Sequence, residues 1–291
     1  MICRMCGSET ILFHKGTRDR ADVDVLKCPN CGLLQLSTKT VDDSMYENGE
    51  MLKEQYVGVT DVVGEMNWDT WIAETKKDDN RRYASLKSMI KGKKILDFGC
   101  GNGGFLRRAK EITSSVYGVE LNRETVERLS EEAITIKATI DEYSADSFDL
   151  ITMFQVLEHL EEPELYLQKI KSRLRVGGML LIETPNADDV LLSKYNSDAF
   201  MDFTFWSEHV FLYNSNNLSC LVETNGYETI INTQIQRYNL ANHLYWLAYN
   251  KPCGHLKWQD LSSPELDDAY ARKLINLKKA DTLWYVARRI V

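Results

Sequence analysis

Four cysteines in the first 31 residues, Cys3, Cys6, Cys28 and Cys31, follow the spacing C-x2-C-x21-C-x2-C, close to the pattern of a four-thiolate metal site. Each pair is followed directly by a glycine, Gly7 and Gly32, the residue that lets a tight knuckle fold back on itself. Four thiolates fill the tetrahedral shell of zinc and leave no position for water or substrate, so the expected ion is structural zinc. Two disulfides, or an iron centre held by four sulfurs, would use the same residues. His14 lies between the pairs; with four thiols at hand it is read as a solvated loop residue. Cys100, Cys220 and Cys253 stand alone and are given no role.

A second chemical signature is Ile95-Leu96-Asp97-Phe98-Gly99-Cys100-Gly101-Asn102-Gly103, a buried strand running into a glycine-rich turn. Gly99, Gly101 and Gly104 satisfy G-x-G-x-x-G, and Glu120 follows at the distance from which a dinucleotide-binding fold takes ribose hydroxyls. A nicotinamide enzyme is therefore one reading. Asp97 weighs against it. A carboxylate at the strand end, pointing into the turn, repels a pyrophosphate on the helix N-terminus and suits a ligand that brings positive charge, such as the ammonium and sulfonium of S-adenosylmethionine.

The elements that must position these residues can be read along the chain. Residues 1–40 form a zinc ribbon: knuckle, polar hairpin from His14 to Asp24, knuckle, and the strand-like Leu33–Leu36. Residues 41–92 read as a polar linker, holding Tyr46 and Tyr56, and then one or two helices from Trp68 to Ile90, where Trp71, Tyr83, Leu86 and Ile90 recur at helical spacing. From residue 93 to 291 strands and helices alternate. Strands are expected at Lys94–Phe98, Val116–Glu120, Ala133–Lys137, Phe148–Phe154, Met179–Thr184, Glu228–Gln236 and Thr282–Ile290. Helices are expected at Phe105–Ile112, Arg123–Glu131, Pro163–Leu174 and Asn216–Thr224. That rhythm predicts a doubly wound, mostly parallel seven-stranded α/β sheet of Rossmann type, with ligands beyond the carboxyl ends of its strands.

The chain resembles the class I S-adenosylmethionine-dependent methyltransferases over about residues 80 to 232. The motifs are the glycine turn, "TIDEYSADSFDLITMFQVLEHL" and "RVGGMLLIETPN". The resemblance implies that Asp97, Gly99, Gly101 and Gly103 approach the methionine end of the cofactor and that Glu120 binds its ribose. It further implies that Leu121 flanks the adenine, with Ile140 and Asp141 beside it, and that Phe154 and Gln155 face the methionine part. Arg82, on the helix ahead of the turn with Arg81, is a candidate clamp for the cofactor carboxylate, because a guanidinium fork matches it.

Methyl transfer from a sulfonium is an in-line displacement governed by alignment, and a base is needed when the acceptor must lose a proton. His209 is the leading candidate, with Glu208 to orient it; His159, expected at the start of the helix after the fourth strand, is the second. Residues 237–281 carry Tyr238, Asn239, His243, Tyr245, Trp246, His255 and Trp258. They read either as a substrate lid that stacks on a ring-shaped acceptor or as a helical cap with its own small core.

A zinc ribbon ahead of such a core resembles enzymes of bacterial sugar and surface-polysaccharide pathways, including sugar C-methyltransferases. Those carry a further C-terminal domain with no counterpart here, which shifts the expectation from carbon toward oxygen. A sugar, nucleotide-linked or in a glycan, is the expected acceptor. RNA methylation is an alternative, as is a non-catalytic cofactor-binding partner subunit. The net charge of −8 across 291 residues argues against wrapping a polyphosphate, which needs clustered Lys and Arg. With 44% hydrophobic and 27% charged residues, no apolar run long enough for a membrane span and no secretory signal at the N-terminus, the expected location is the cytoplasm. Oligomeric state is not readable.

Overall fold

A computed structural model describes residues 1–38 and 67–291; the linker expected over residues 41–66 lies outside them. The described elements begin with β1 (Ile11–His14), β2 (Val25–Lys27), β3 (Leu34–Leu36) and helix α1 (Trp68–Ile90). There follow β4 (Lys94–Phe98), α2 (Gly104–Ala109), β5 (Ser115–Val119), α3 (Arg123–Glu131), β6 (Thr135–Lys137), β7 (Phe148–Phe154), α4 (Pro163–Arg173) and β8 (Leu174–Pro185). The remainder is α5 (Val190–Ser193), α6 (Asp198–Thr204), β9 (Phe211–Leu212), α7 (Ser215–Thr224), β10 (Tyr227–Ile235), α8 (Leu240–Tyr249), α9 (Gly254–Lys257), α10 (Pro264–Asn276) and β11 (Thr282–Arg289). Among the described residues no helix is long and apolar enough to cross a membrane.

Seven strands form one sheet in the order β10-β11-β8-β7-β4-β5-β6. Its β7-β4-β5-β6 half is parallel, and with the flanking helices this is the Rossmann-like arrangement the alternation predicts. β4, β7 and α3 fall on their expected residues. β8 is longer than the expected Met179–Thr184 because the chain from Leu174 through Gly177 and Gly178 already lies inside the strand. A Cβ on Gly178 would stand 3.1 Å from the Phe148 carbonyl oxygen and 2.8 Å from that of Arg175, so glycine there permits close backbone approach.

The described chain divides into two compact units. Of the described residues, one holds 67–154, Leu165–Leu181 and Arg288–Val291. Its core is built on β4 and β7, where Ile95, Leu96, Leu150, Ile151 and Met153 are fully buried. Helix α1 opens with the Asn67 side chain accepting from the Thr70 amide at 3.1 Å, the usual satisfaction of a free helix amide, and packs against α2.

The other unit holds, of the described residues, 1–38, Gln155–Glu164 and Ile182–Ala287. Here the cysteine ribbon is not a separate body. β3 pairs antiparallel with β9, Leu34 opposite Leu212 and Gln35 opposite Phe211. Val23, Val25, Leu34 and Leu36 share one core with Ala187, Leu192, Met201, Phe205 and Leu212. A ribbon this short cannot bury its own apolar side chains, and it does so against α5, α6 and β9. His14 differs from expectation for the same reason. It ends β1, is largely buried against Phe205, and places Nε2 3.2 Å from the Asp202 carboxylate.

Residues 237–281 fold mainly as α8, α9 and α10. Trp246 packs with Val190, Leu191, Leu274 and Ala280, and His243 Nδ1 lies 2.8 Å from the Tyr270 hydroxyl. Tyr245, Tyr249 and Trp258 pack on one another, so much of this aromatic content fills a core of its own. Tyr238 and Tyr249 remain exposed.

Candidate functional site

In the first unit the turn after β4 is built from backbone that only glycine adopts readily. Gly99, Gly101 and Gly103 have φ of +74°, +49° and +75°, the left-handed region that an L side chain resists. A Cβ on Gly103 would also come within 2.6 Å of Leu129. Asn102, buried in the turn, donates to Thr75 Oγ1 at 3.0 Å and accepts from the Gly104 amide at 3.0 Å. The turn is thereby fastened to α1.

Glu120 reaches back to this turn. One carboxylate oxygen accepts from the Gly101 amide at 2.9 Å and the other from the Asn122 amide at 2.9 Å. Burial raises its pKa against the pull of these amides. Each oxygen retains a second lone pair, so hydroxyls of a bound ligand could still be accepted. Leu121 beside it is half-buried.

Asp97 takes part in the strand ladder. It is the penultimate residue of β4, level with Thr152 of β7, and its buried carboxyl accepts from the Thr152 hydroxyl at 2.7 Å. The two paired side chains stand on the same face of the sheet, so the Thr152 hydroxyl meets one carboxyl oxygen from the side. Burial pushes its pKa up to about 8, opposed by the Thr152 hydrogen bond and by Arg82. A carboxyl whose pKa is higher folded than unfolded holds a proton only in the native state between the two values, here 3.8 and about 8. Stability is then greatest at the acid end of that window and falls by ~1.4 kcal/mol per pH unit for this one proton as pH rises. The Asp97→Asn variant should lose that share of the slope in urea unfolding compared at about pH 5 and about pH 7.5. Identical slopes would count against it. Asp189, also raised to about 8 by burial, contributes in the same sense and persists in the variant.

Arg82 lies in the same unit, with its guanidinium 4.5 Å over the Phe154 ring and 3.5 Å from the Asp79 carboxylate. Phe154 packs edge-on against Phe105 of α2. Arg81 pairs instead with Asp78 at 2.8 Å. Ile140 is a core residue whose carbonyl accepts from Arg173 Nε at 3.2 Å. The Asp141 carboxylate is engaged by Lys169 at 2.7 Å and Arg173 at 3.2 Å. Asp97, the three glycines, Glu120, Arg82 and Phe154 thus belong to one unit, while Asp141 spends its charge on a surface ion pair.

In the second unit the four cysteine sulfurs lie within 4.8 Å of one another. Cys3 is 3.6 Å from Cys31, and Cys6 is 3.4 Å from Cys28. A tetrahedral zinc at ~2.3 Å from each sulfur would set them ~3.8 Å apart, so the donors present fit that ion. Both knuckles close alike, the Gly7 amide donating to the Cys3 carbonyl at 3.0 Å and the Gly32 amide to the Cys28 carbonyl at 2.9 Å. Gly7 and Gly32 have φ of +70° and +79°.

The same unit contains Gln155, at a left-handed φ of +57°. Its amide nitrogen donates to the Glu183 carbonyl at 2.7 Å, and its side chain lies 3.4 Å from the Glu183 carboxylate. A non-glycine residue held so just beyond a strand end is the kind of strain found at ligand sites. The chain continues into the single turn Leu157–His159. His159 ends this turn rather than starting the helix, since α4 begins only at Pro163.

Glu158 is 1% exposed and accepts from the Thr184 hydroxyl at 2.8 Å through Oε2. The rings of His159 and His209 meet edge to face, 4.9 Å apart, and both contact Trp206. Glu208 is buried and meets His159 through its main-chain carbonyl, whereas the sequence reading has its carboxylate orient His209. Burial lowers His159 to about 4 and His209 well below the usual imidazole range. Both rings are neutral at physiological pH.

The ribbon hairpin supports this group, a role invisible to motif reading. The Arg18 amide donates to the Phe205 carbonyl at 2.8 Å, and the Arg18 guanidinium lies 4.4 Å over Trp206. Asp19 accepts from the Ser207 amide at 3.0 Å and from its hydroxyl.

Comparison with known proteins adds the following. Residues 72–231 match a family described as methyltransferase domain. A ubiquinone biosynthesis O-methyltransferase, mitochondrial, of Candida albicans is 32% identical over 130 residues, which is 40% of this chain and 37% of that protein. A ubiquinone biosynthesis O-methyltransferase of Actinobacillus pleuropneumoniae is 30% identical over 109 residues, 33% of this chain and 47% of that protein. The matches thus span less than half the length of these curated relatives. Among solved structures, an S-adenosylmethionine-dependent methyltransferase from Archaeoglobus fulgidus has TM-score 0.51 at 18% identity, covering 83% of this chain and 99% of that one. A complex of the Haloferax volcanii Trm112 methyltransferase activator with a methyltransferase gives 0.50 at 14%, covering 77% and 98%. These two show the fold.

Proposed function

The chain belongs to the methyltransferase domain family, matched over residues 72–231, and from that premise we propose that it transfers a methyl group from S-adenosylmethionine to a hydroxyl of a ring-shaped acceptor, a sugar. The observation that carries this reading is the left-handed glycine turn held to the Glu120 carboxylate. A dinucleotide site would use Glu120 in the same way; it is the buried carboxyl of Asp97 at the strand end that disfavours a pyrophosphate there.

The bound donor supplies an electrophilic methyl on a sulfonium. The chain's residues bind and orient it. In this reading Gly99, Gly101 and Gly103 let the backbone approach, Glu120 accepts the ribose hydroxyls, and Leu121 and Ile140 flank the adenine, with Asp141 contributing its main chain. Arg82, already seated over Phe154, takes the carboxylate of the donor, and Asp97 balances its ammonium. Gln155 continues the chain from Phe154 toward the methionine part. Cys3, Cys6, Cys28 and Cys31 hold a structural zinc. The proton of the acceptor hydroxyl is handled in the group around His209 and His159, with Glu208 positioning His159. Replacing His209 by alanine should then lower turnover ~100-fold or more while cofactor affinity stays unchanged; unaltered turnover removes His209 from this role.

The sugar rests on the ribbon resemblance and on the exposed Tyr238 and Tyr249 of a lid formed by residues 237–281. A phenol is the second reading, favoured by the matched ubiquinone biosynthesis O-methyltransferases. Incubation with labelled S-adenosylmethionine and a panel of nucleotide sugars, lipid-linked glycans, phenols and RNA tests both. Label in a sugar supports the first, label only in phenols replaces it with the second, and label in RNA overturns both.

A further inference from the structure

We propose that Glu158, His159 and His209 form a binding site for a divalent transition-metal ion such as zinc, distinct from the four-cysteine cluster. One donor atom from each of the three lies within 4.8 Å of the others. Two imidazoles and one carboxylate are a donor set that suits zinc and its neighbours and leaves coordination positions open for another ligand.

Unsatisfied buried atoms supply an independent observation. Glu158 Oε1 and His209 Nδ1 are buried without a hydrogen-bond partner. Leaving such atoms bare costs folding free energy, and an ion between them would satisfy both at once. The outer contacts are those that orient metal ligands elsewhere. Thr184 donates to the remaining Glu158 oxygen at 2.8 Å. The Glu208 carbonyl accepts from the His159 ring, the kind of outer contact that orients a ligating imidazole. Trp206, edge-on to both rings, fixes their planes and is itself held by Arg18 at 4.4 Å.

The electrostatics are mixed. Glu183, fully buried, adds a second carboxyl to the surroundings of Glu158, opposed there by Arg237; Arg18 opposes at His209. Ligand atoms around a zinc at ~2.1 Å stand ~3.4 Å apart, so the three side chains would draw in by about 1 Å. A metal at this position would lower the pKa of a coordinated hydroxyl. That consequence rests on the methyl-transfer reading, whereas the binding itself does not.

The test is equilibrium dialysis of the intact protein against Zn²⁺, followed by metal analysis per chain. Wild type should retain one zinc more than Glu158→Gln and His209→Ala, which keep only the thiolate-bound ion and so report that they remain folded. Thr184→Val should keep the second ion with roughly 10- to 100-fold weaker affinity. Co²⁺ at this site should lack the thiolate charge-transfer band that the cysteine cluster gives. A wild type with no zinc beyond the thiolate-bound ion, or variants that bind as wild type does, would overturn the proposal. Calorimetric binding of S-adenosylhomocysteine by the same samples reports on the methyl-transfer reading separately.

Discussion

Replacing Glu120 with alanine is expected to weaken S-adenosylhomocysteine binding ~100-fold or more, the largest single loss within the glycine-turn unit. The carboxylate accepts two amide hydrogen bonds at 2.9 Å, one from Gly101 and one from Asn122, and hydrogen bonds to a charged acceptor contribute ~1.5–3 kcal/mol each. Gly101 holds a left-handed φ of +49°, so its amide direction depends on that partner. Without it the turn loses the tie that sets the amides and also its acceptor for ribose hydroxyls. About 2.7 kcal/mol corresponds to the stated factor of 100. Glu120→Gln keeps one acceptor oxygen and should fall between wild type and alanine. Calorimetry on both variants, with circular dichroism as the folding check, decides it. A folded alanine variant with wild-type affinity would remove Glu120 from the binding site.

If the four cysteines hold zinc as proposed, removing it should have a comparably large effect, through a different route. Four-thiolate zinc binding contributes ~10 kcal/mol or more to folding of small zinc domains, and here the ribbon's strands are part of a larger core. Cys28 is fully buried, and the Leu36 amide that follows the second knuckle donates to the Val210 carbonyl at 3.1 Å. Asn214 Nδ2 donates to the Cys31 carbonyl at 3.0 Å. The segment carrying Trp206, Ser207 and His209 is therefore bracketed by ribbon contacts, from Arg18 and Asp19 on one side and from β3 on the other. Cys28→Ser, or exhaustive chelation, should lower the melting temperature markedly and reduce turnover at least ~10-fold. Affinity for S-adenosylhomocysteine should fall much less, because the glycine turn belongs to the other compact unit. Turnover and melting temperature unchanged after proven metal loss would show the thiols to be dispensable.

The sheet was legible because its strands are short apolar runs bounded by turn residues, and Lys94–Phe98 and Phe148–Phe154 fall where the pattern puts them. The cysteine knuckles were legible from spacing alone, down to the two glycines that need positive φ. What local pattern could not show are the contacts of high sequence separation. The ribbon's core partner is Leu212, far along the chain, and Asp19 meets Ser207; no periodicity near either residue announces the other. Asp97 shows a subtler limit. Its identity suggested a charge aimed at the turn, whereas its burial and its hydrogen bond from Thr152 depend on the neighbouring strand. Glu158 adjoins His159 in sequence, and adjacent acid and imidazole after a strand end are a readable signal. Its weight comes from Thr184 and His209, which only the fold brings to it.

The central claim is that the glycine turn holds an adenosyl sulfur ligand. Titrating the intact protein by calorimetry with S-adenosylhomocysteine, and in parallel with NAD, tests it most directly: heat of binding for the first and none for the second is the predicted result, and binding of NAD alone would contradict it.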